Sequence, residues 1–449
     1  MKTQVSRLSF LATLSLLFVA GFAYAQPAIQ YFRHYDQRGI NVFETSKDDT
    51  TKFDGLKLRW GANFKQQYQN INHENSTPVV LPVPTPANGS QLVEMAGGFN
   101  LAMANLNMDV QLYDGVRVSL ISYMSSRHHP EFWVKGGYFQ IDKVKFLNSE
   151  LMDKLWTNLT LRVGHFEVNY GDQHFRRSDG GNGLYNPFVE NYIMDAFTTE
   201  IGGELYFQKS GFLAMVGMTD GEIQGNVTRP NDRKPTLYLK AGYDKQINED
   251  LRVRLTASLA NTKSSIRNTL YAGDRTGSHY YMVMENTAAS TSGNFTSGRL
   301  NPNLTDNLQA IMINPFVKFG GFELFGTYEI AKGNTAIDNG ETGLAARPDR
   351  EFTQTAVDAL YRFANDKVYI GVRYNTVKGE QIFGQGGANQ GTRADVSVNR
   401  TAFAAGWFLT RNVLFKAEYV TQEYKDFPTN TIFDKGKFDG FVLEGIIAF

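Results

Sequence analysis

The stretch Leu56-Lys57-Leu58-Arg59-Trp60-Gly61-Ala62-Asn63-Phe64-Lys65 decides how the rest of the chain is read. Leu56, Leu58, Trp60, Ala62 and Phe64 share one face, and Lys57, Arg59, Gly61, Asn63 and Lys65 share the other. Successive side chains of a strand point to opposite sides, so a period of two sorts them this way. A helix would scatter both sets around its circumference.

The same period recurs at 237–241, 251–255, 368–374 and 413–419, and again at the end of the sequence. There Phe441, Leu443, Gly445, Ile447 and Phe449 alternate with Val442, Glu444, Ile446 and Ala448. Turn residues join many runs in pairs: Asp114-Gly115, Lys209-Ser210-Gly211, Gly320-Gly321, Asn365-Asp366 and Arg411-Asn412. About sixteen strands follow, near 56–68, 97–112, 116–126, 132–145, 157–168, 199–208, 211–220, 235–245, 250–262, 308–319, 322–332, 353–364, 367–378, 396–409, 413–424 and 437–449. Each approaches or exceeds the ~9–11 residues of a tilted membrane strand. An even count puts both chain ends on one side.

Mostly short turns follow even-numbered strands, whereas long polar stretches follow many odd ones: 69–96, 169–198, 221–234, 263–307, 333–352, 379–395 and 425–436. That asymmetry belongs to outer-membrane barrels, with short periplasmic turns and long external loops. The longer turn at 146–156 has room for a short helix, and the stretch from Pro78 to Pro86 reads as loop. A soluble two-sheet sandwich would also alternate apolar and polar residues. It explains less well why small and charged residues share a face while aromatics gather at strand ends, as they do in the girdles of a membrane barrel. The expected fold is therefore all-β, a transmembrane antiparallel β-barrel of about 16 strands.

Bulk composition agrees. The chain has 33 Phe, 22 Tyr, 42 Gly and only 13 Pro, a bias toward strands and tight turns. Mean hydropathy is −0.33, which a barrel tolerates because half its strand residues face water. Cysteine is absent, so neither disulfides nor thiolate metal sites are available. Lys2 and Arg7 precede an uncharged stretch from Leu8 to Phe22 and then Ala23-Tyr24-Ala25, the layout of a secretory signal. Residues 1–25 are thus expected to be a signal peptide, 26–55 an N-terminal periplasmic or entry segment, and 56–449 the barrel. Taking Lys2 and Arg7 from the 45 basic residues leaves 43 against 45 acidic. Near-neutrality argues against a nucleic-acid partner.

With the apolar face outward, the inward basic residues are Lys57, Arg59, Lys65, Arg117, Arg162, Lys240, Arg252, Arg254, Lys318, Arg362, Arg373, Arg400 and Lys416. Inward acids are Asp109, Glu200, Glu204, Glu323, Glu329, Asp358, Glu418 and Glu444. The lumen leans cationic, and a narrow low-dielectric channel focuses such a field on passing ions. The bland account of any single charge is that it pairs across the wall. Loop 171–199, the third external loop, is long and Gly-rich, with His174, Arg176 and Arg177 beside Asp172 and Asp179. Sixteen strands enclose an aqueous channel, so a loop folded inward is expected to narrow it.

The run Arg162-Val163-Gly164-His165-Phe166-Glu167-Val168-Asn169-Tyr170-Gly171, then the loop, then Ile201-Gly202-Gly203-Glu204-Leu205, resembles the segment that leads into the constriction loop of the phosphate-selective porins of the O and P type. The strand count and the terminal Phe extend the likeness. The resemblance implies a trimeric porin passing anions along a basic lane, with Arg176 and Arg177 included by loop position. Glu167, Asn169 and Tyr170 depart from that family's usual basic residue, Pro and Phe, and no dense Lys/Arg ladder is present.

The functional expectation is an outer-membrane porin for passive diffusion of small hydrophilic solutes, mildly anion-preferring, phosphate-like anions included. Its pore-lining residues would be Arg59, Arg117, Arg162, Arg176, Arg177, Lys240, Arg252, Arg254 and Arg373, with no catalytic residue, metal or cofactor. Expected partners are outer-membrane lipid, the solutes, and two further copies in a homotrimer. The alternative is a closed barrel acting as an adhesin, a docking protein or a hydrolase, for which loops 69–96 and 263–307 would offer exposed surface. Signals for an enzyme are thin: His128 and His129 are adjacent, and Asp179-Gly180-Gly181-Asn182-Gly183 lacks the Lys and helix of a phosphate loop.

Overall fold

A computed structural model describes residues 26–77, 90–221, 234–263, 267–294, 296–341, 343–387, 389–429 and 431–449. The signal-peptide reading of 1–25 and the loop reading of 78–86 lie outside them. The strands are β1 Lys57–Glu74, β2 Gly98–Tyr113, β3 Val116–Ser125, β4 Trp133–Ile141, β5 Leu159–Glu167, β6 Thr199–Lys209, β7 Phe212–Thr219 and β8 Thr236–Gln246. They continue as β9 Leu251–Thr262, β10 Leu308–Phe319, β11 Phe322–Gly333, β12 Arg350–Phe363, β13 Val368–Phe383, β14 Thr392–Thr410, β15 Val413–Lys425 and β16 Lys437–Ala448. Each pairs antiparallel with its chain neighbours, and β1 pairs with β16 from Asn63↔Ala448 to Glu74↔Lys437, so the sheet closes. The sixteen-stranded barrel expected from the alternation is the fold.

Closure leaves no strand edge unpaired, which matters in hydrocarbon because each unpaired backbone group there costs several kcal/mol. Phe449 completes it: its N–H donates to Ala62 O at 3.0 Å, and its carbonyl accepts from Ala62 N at 3.1 Å. Its ring joins Phe212, Phe319, Phe322, Phe363 and Trp407, all exposed beside the short turns, in a girdle at that end.

The parity of the opening stretch holds across the wall. Leu58 and Phe415 are 43% and 49% exposed on the outside, while Arg59 and Lys416 are 7% and 3% exposed inside. Ser210 and Gly211 both take positive φ, 52° and 90°, which suits a two-residue hairpin turn to the twist of β6 and β7. The 146–156 connection carries the helix its length allowed, α1 at Glu150–Trp156, with Ser149 Oγ accepting from Met152 N. Several boundaries differ, among them that of β1, which runs to Glu74, six residues into the expected 69–96 loop. The β13–β14 ladder runs on to Phe383↔Thr392, five residues into the expected 379–395 loop, because nothing in 379–383 breaks the pairing. Among the described residues no helix is long and apolar enough to cross a membrane.

The lumen is filled from both ends. The third external loop folds inward, and Val168, Tyr170, Phe188, Val189, Ile193 and Met194 are buried there. A second inward loop, 267–307, packs against it through Leu270, Tyr271, Tyr280, Val283, Met284 and Leu300. Much of that loop is thus buried, while Ala288 and Ser290 to Gly293 keep exposed surface. The apolar side chains of both loops pack with inward apolar residues of the wall, among them Met312, Phe352, Val377 and Val398, in one buried core inside the barrel.

Candidate functional site

Residues 26–56 cross the short-turn mouth from wall to wall as a strap. Gln30 N donates to Gln111 Oε1 (2.9 Å), and Lys47 Nζ donates to Asp142 O and Leu159 O (2.8 and 2.7 Å). On the far side Gln37 N donates to Arg411 O (2.9 Å), and Asn41 Nδ2 to Glu323 Oε1 (2.7 Å). Where the strap meets the third loop it turns at Gly39; a Cβ there would lie 2.0 Å from His34 O and 2.7 Å from the Tyr185 ring.

The third loop leans on one side of the wall. Val189 N donates to Glu418 Oε2 (2.8 Å), Ile193 N to Asn375 Oδ1 (2.7 Å) and Met194 N to Gln354 Oε1 (3.0 Å). Lys416 Nζ donates to Gly183 O and Phe188 O, both at 2.9 Å, and Arg400 Nη1 to Asn191 O at 2.7 Å. These anchors sit on β12–β15 and satisfy backbone groups that a buried loop would otherwise leave orphaned. Space is left on the opposite side, beside β2–β5.

That space is a cavity of about 190 Å3 enclosed by the wall, the strap and the loop. Its charged lining is Arg33, Arg117, Lys135, Arg162 and Arg177 against Asp109, Glu167 and Asp179, with Phe32, Tyr35, Tyr138, Phe175 and Tyr185 between them. Burial opposes the charge of Arg177, but Asp195 and Asp274 outweigh it and raise the guanidinium above its ordinary range. Burial also pushes His174 down, against the pull of Glu167, so its ring is neutral at pH 7. Tyr185 is pushed up to about 12 by burial and stays protonated.

Of the nine cations expected to line a pore, Arg117, Arg162 and Arg177 reach this cavity. Arg59 sits nearby, stacked 5.1 Å over the Phe32 ring. The others are brought to the opposite side and engaged by acids. Lys240 and Arg254 both lie 2.7 Å from Asp172, and Arg254 also pairs with Glu44 at 2.7 Å. Arg252 pairs with Asp244 and Arg373 with Asp358, each at 2.7 Å, and Arg176 lies 3.6 Å from Glu323.

Sequence reasoning missed Lys135, Arg33 and Tyr35. Alternation outward through Phe139 would put Lys135 on the lipid side. A bulge opposite Ile121 and Ser122 shifts the register by one and turns it inward, where it pairs with Asp179. The signal was there: Val134 and Phe139 are both outward apolar residues on opposite parity, separated by Gly136-Gly137. Arg33 and Tyr35 come from an irregular segment with no periodicity to read.

No protein-family model matches this chain, and no curated protein matches it. Among solved structures it is similar to the anion-selective porin from Comamonas acidovorans, with TM-score 0.51 and 11% identity over 88% of this chain and 100% of that one. The outer-membrane channel DcaP of Acinetobacter baumannii gives 0.49 and 10% over 89% and 99%. OprB of Pseudomonas putida gives 0.48 and 10% over 88% and 94%. The likeness to the Comamonas porin is one of fold: this chain is a sixteen-stranded barrel of the kind found in bacterial outer-membrane porins.

Proposed function

We propose that the protein is an outer-membrane porin through which small hydrophilic solutes diffuse passively, with a mild preference for anions. The observation that carries this reading is the cavity beside β2–β5, where an inward loop and a strap narrow a charged lumen to a gap lined by five cations and three acids. A net positive, water-filled constriction in a low-dielectric wall favours negative ions. The apolar outer wall suits outer-membrane lipid, and the export signal read in 1–25 suits that location. The trimer and the likeness to the O and P type rest on the 162–171 segment. In that segment Asn169 Oδ1 accepts from Lys240 Nζ at 2.7 Å and Tyr170 donates to Glu329 at 3.0 Å, contacts that stabilise the loop rather than form a basic lane. Strict phosphate selectivity is therefore not part of the proposal.

The test is stepwise conductance of the purified protein in planar bilayers, with the reversal potential under a KCl gradient. Steps with an anion-side reversal potential support the reading; insertion without conductance refutes it. The second reading, a closed barrel that docks a partner or adheres, is favoured by the apolar packing of the two inward loops. Insertion without conductance is its expected outcome.

A further inference from the structure

We infer that the cavity beside β2–β5 recognises small monovalent carboxylates with a flat apolar body, such as arene carboxylates, and that Arg162 takes the carboxylate. The inference rests on the porin reading above and names the solute class for the same constriction.

The other four cations of the cavity are already engaged. Arg117 donates to Ser119 Oγ (2.9 Å) and Gln140 Oε1 (2.8 Å), and Arg33 to Gly39 O (3.1 Å) and Phe175 O (2.8 Å). Lys135 is paired with Asp179, and Arg177 with Asp195 at 2.6 Å. Arg162 differs. It pairs with an acid only at 3.6 Å, through Nη1 to Glu204, 24% of its side chain is uncovered, and among the described residues its guanidinium makes no hydrogen bond, with Nε buried and unpartnered. A guanidinium whose hydrogen-bonding capacity is unspent can turn two parallel N–H groups to a carboxylate, which accepts them as a bidentate pair.

The surroundings select the rest of the solute. The guanidinium carbon of Arg162 lies 4.8 Å from the Tyr138 ring centroid and 5.6 Å from that of Tyr206. Phe32, Tyr35 and Phe175 line the same cavity with partly exposed rings. Rings stack well on a flat apolar body and solvate a phosphate poorly, since its remaining oxygens would lose water without gaining donors. Asp109, Glu167 and Asp179 oppose a second negative charge. One loosely paired cation, an aromatic lining and nearby acids together match a monoanion with an apolar side.

The experiment adds sodium benzoate, sodium acetate or sodium phosphate to the full-length protein conducting KCl in a planar bilayer. Benzoate is expected to interrupt the current at about tenfold lower concentration than acetate or phosphate. Arg162→Gln is expected to raise the benzoate concentration needed by about tenfold, and Arg162→Lys, which keeps the charge without the fork, by several-fold. Should Arg162→Gln fail to give a heat-modifiable barrel, Arg162→Lys and Tyr138→Leu carry the comparison, each expected to weaken benzoate more than acetate. Phosphate acting more strongly than benzoate, or variants responding like the parent, would overturn the inference and leave the porin reading standing. A parent that inserts and never conducts KCl would remove both.

Discussion

The hydroxyl of Tyr35, on the strap, donates to Asp109 Oδ2 on β2 at 2.7 Å. This one contact ties the N-terminal segment to the wall of the cavity, and Glu44 ties the same strap to Arg254 and Lys240 on the opposite wall at 2.7 and 3.1 Å. The double variant Tyr35→Phe, Glu44→Ala removes both ties while Asp172 still engages the two cations. Hydrogen bonds to charged groups contribute about 1.5–3 kcal/mol each, so the strap should spend more time undocked. Larger and noisier single-channel currents, with faster proteolysis within 26–56, are the expected result. Unchanged current together with faster proteolysis within 26–56 would place the strap outside the conducting path.

The two inward loops are locked by Arg299, whose Nη1 lies 3.0 Å from Asp195 and whose Nη2 lies 2.9 Å from Glu190. Replacing it with Ala leaves two buried carboxylates short of a partner, a loss of about 3–5 kcal/mol by the usual cost of breaking a buried pair. Hydrogen exchange in 267–307 and 171–195 should accelerate while the barrel strands keep their protection. Equal acceleration throughout would mean that the loops and the wall open as one unit.

Acid should release the strap, and the sign follows from the carboxylates. Burial raises Glu44, but Arg254 and Lys240 outweigh it and hold its carboxyl at about 2; Asp172 is likewise held below its ordinary range by the same pair. A depressed acid contributes stability above its unfolded value and loses it as pH falls through the folded one. Conductance should therefore be flat from pH 7 to about pH 5 and change only below about pH 4. A transition centred near pH 6 would point to histidine instead.

Two substitutions should move ion preference in opposite directions. Arg162→Gln removes a cavity cation and should shift the reversal potential toward cations. Asp179→Asn releases Lys135 and weakens the hold on Arg177, 3.2 Å away, and should shift it toward anions. Both shifts should shrink at about 1 M salt, where the screening length is only ~3 Å. Shifts of the same sign would sink the electrostatic account.

Much of this was legible because a period of two is a local property. Leu58 and Arg59 declare their faces from sequence alone, and once one face is assigned to lipid the rest follow. The prediction failed where the period is interrupted: at Lys135, turned inward by a bulge that two adjacent glycines permit, and in 26–56, where no repeat exists. Loop 171–199 was expected inside because a wide barrel needs narrowing. Loop 267–307 was not, since the apolar residues that bury it are spread through a polar stretch.

The amino-acid order by itself determined the barrel, its strand number and, away from the bulge at Lys135, which strand side chains face the lumen. Only the tertiary structure decided how tightly each charge among them is held. Arg254 and Arg162 both face inward from a strand, yet one is held at 2.7 Å by Asp172 and Glu44, carried by the loop and the strap, and the other has only Glu204 at 3.6 Å and borders a cavity. Pairing between distant segments depends on where loops settle in three dimensions, and alternation along a strand carries no information about that.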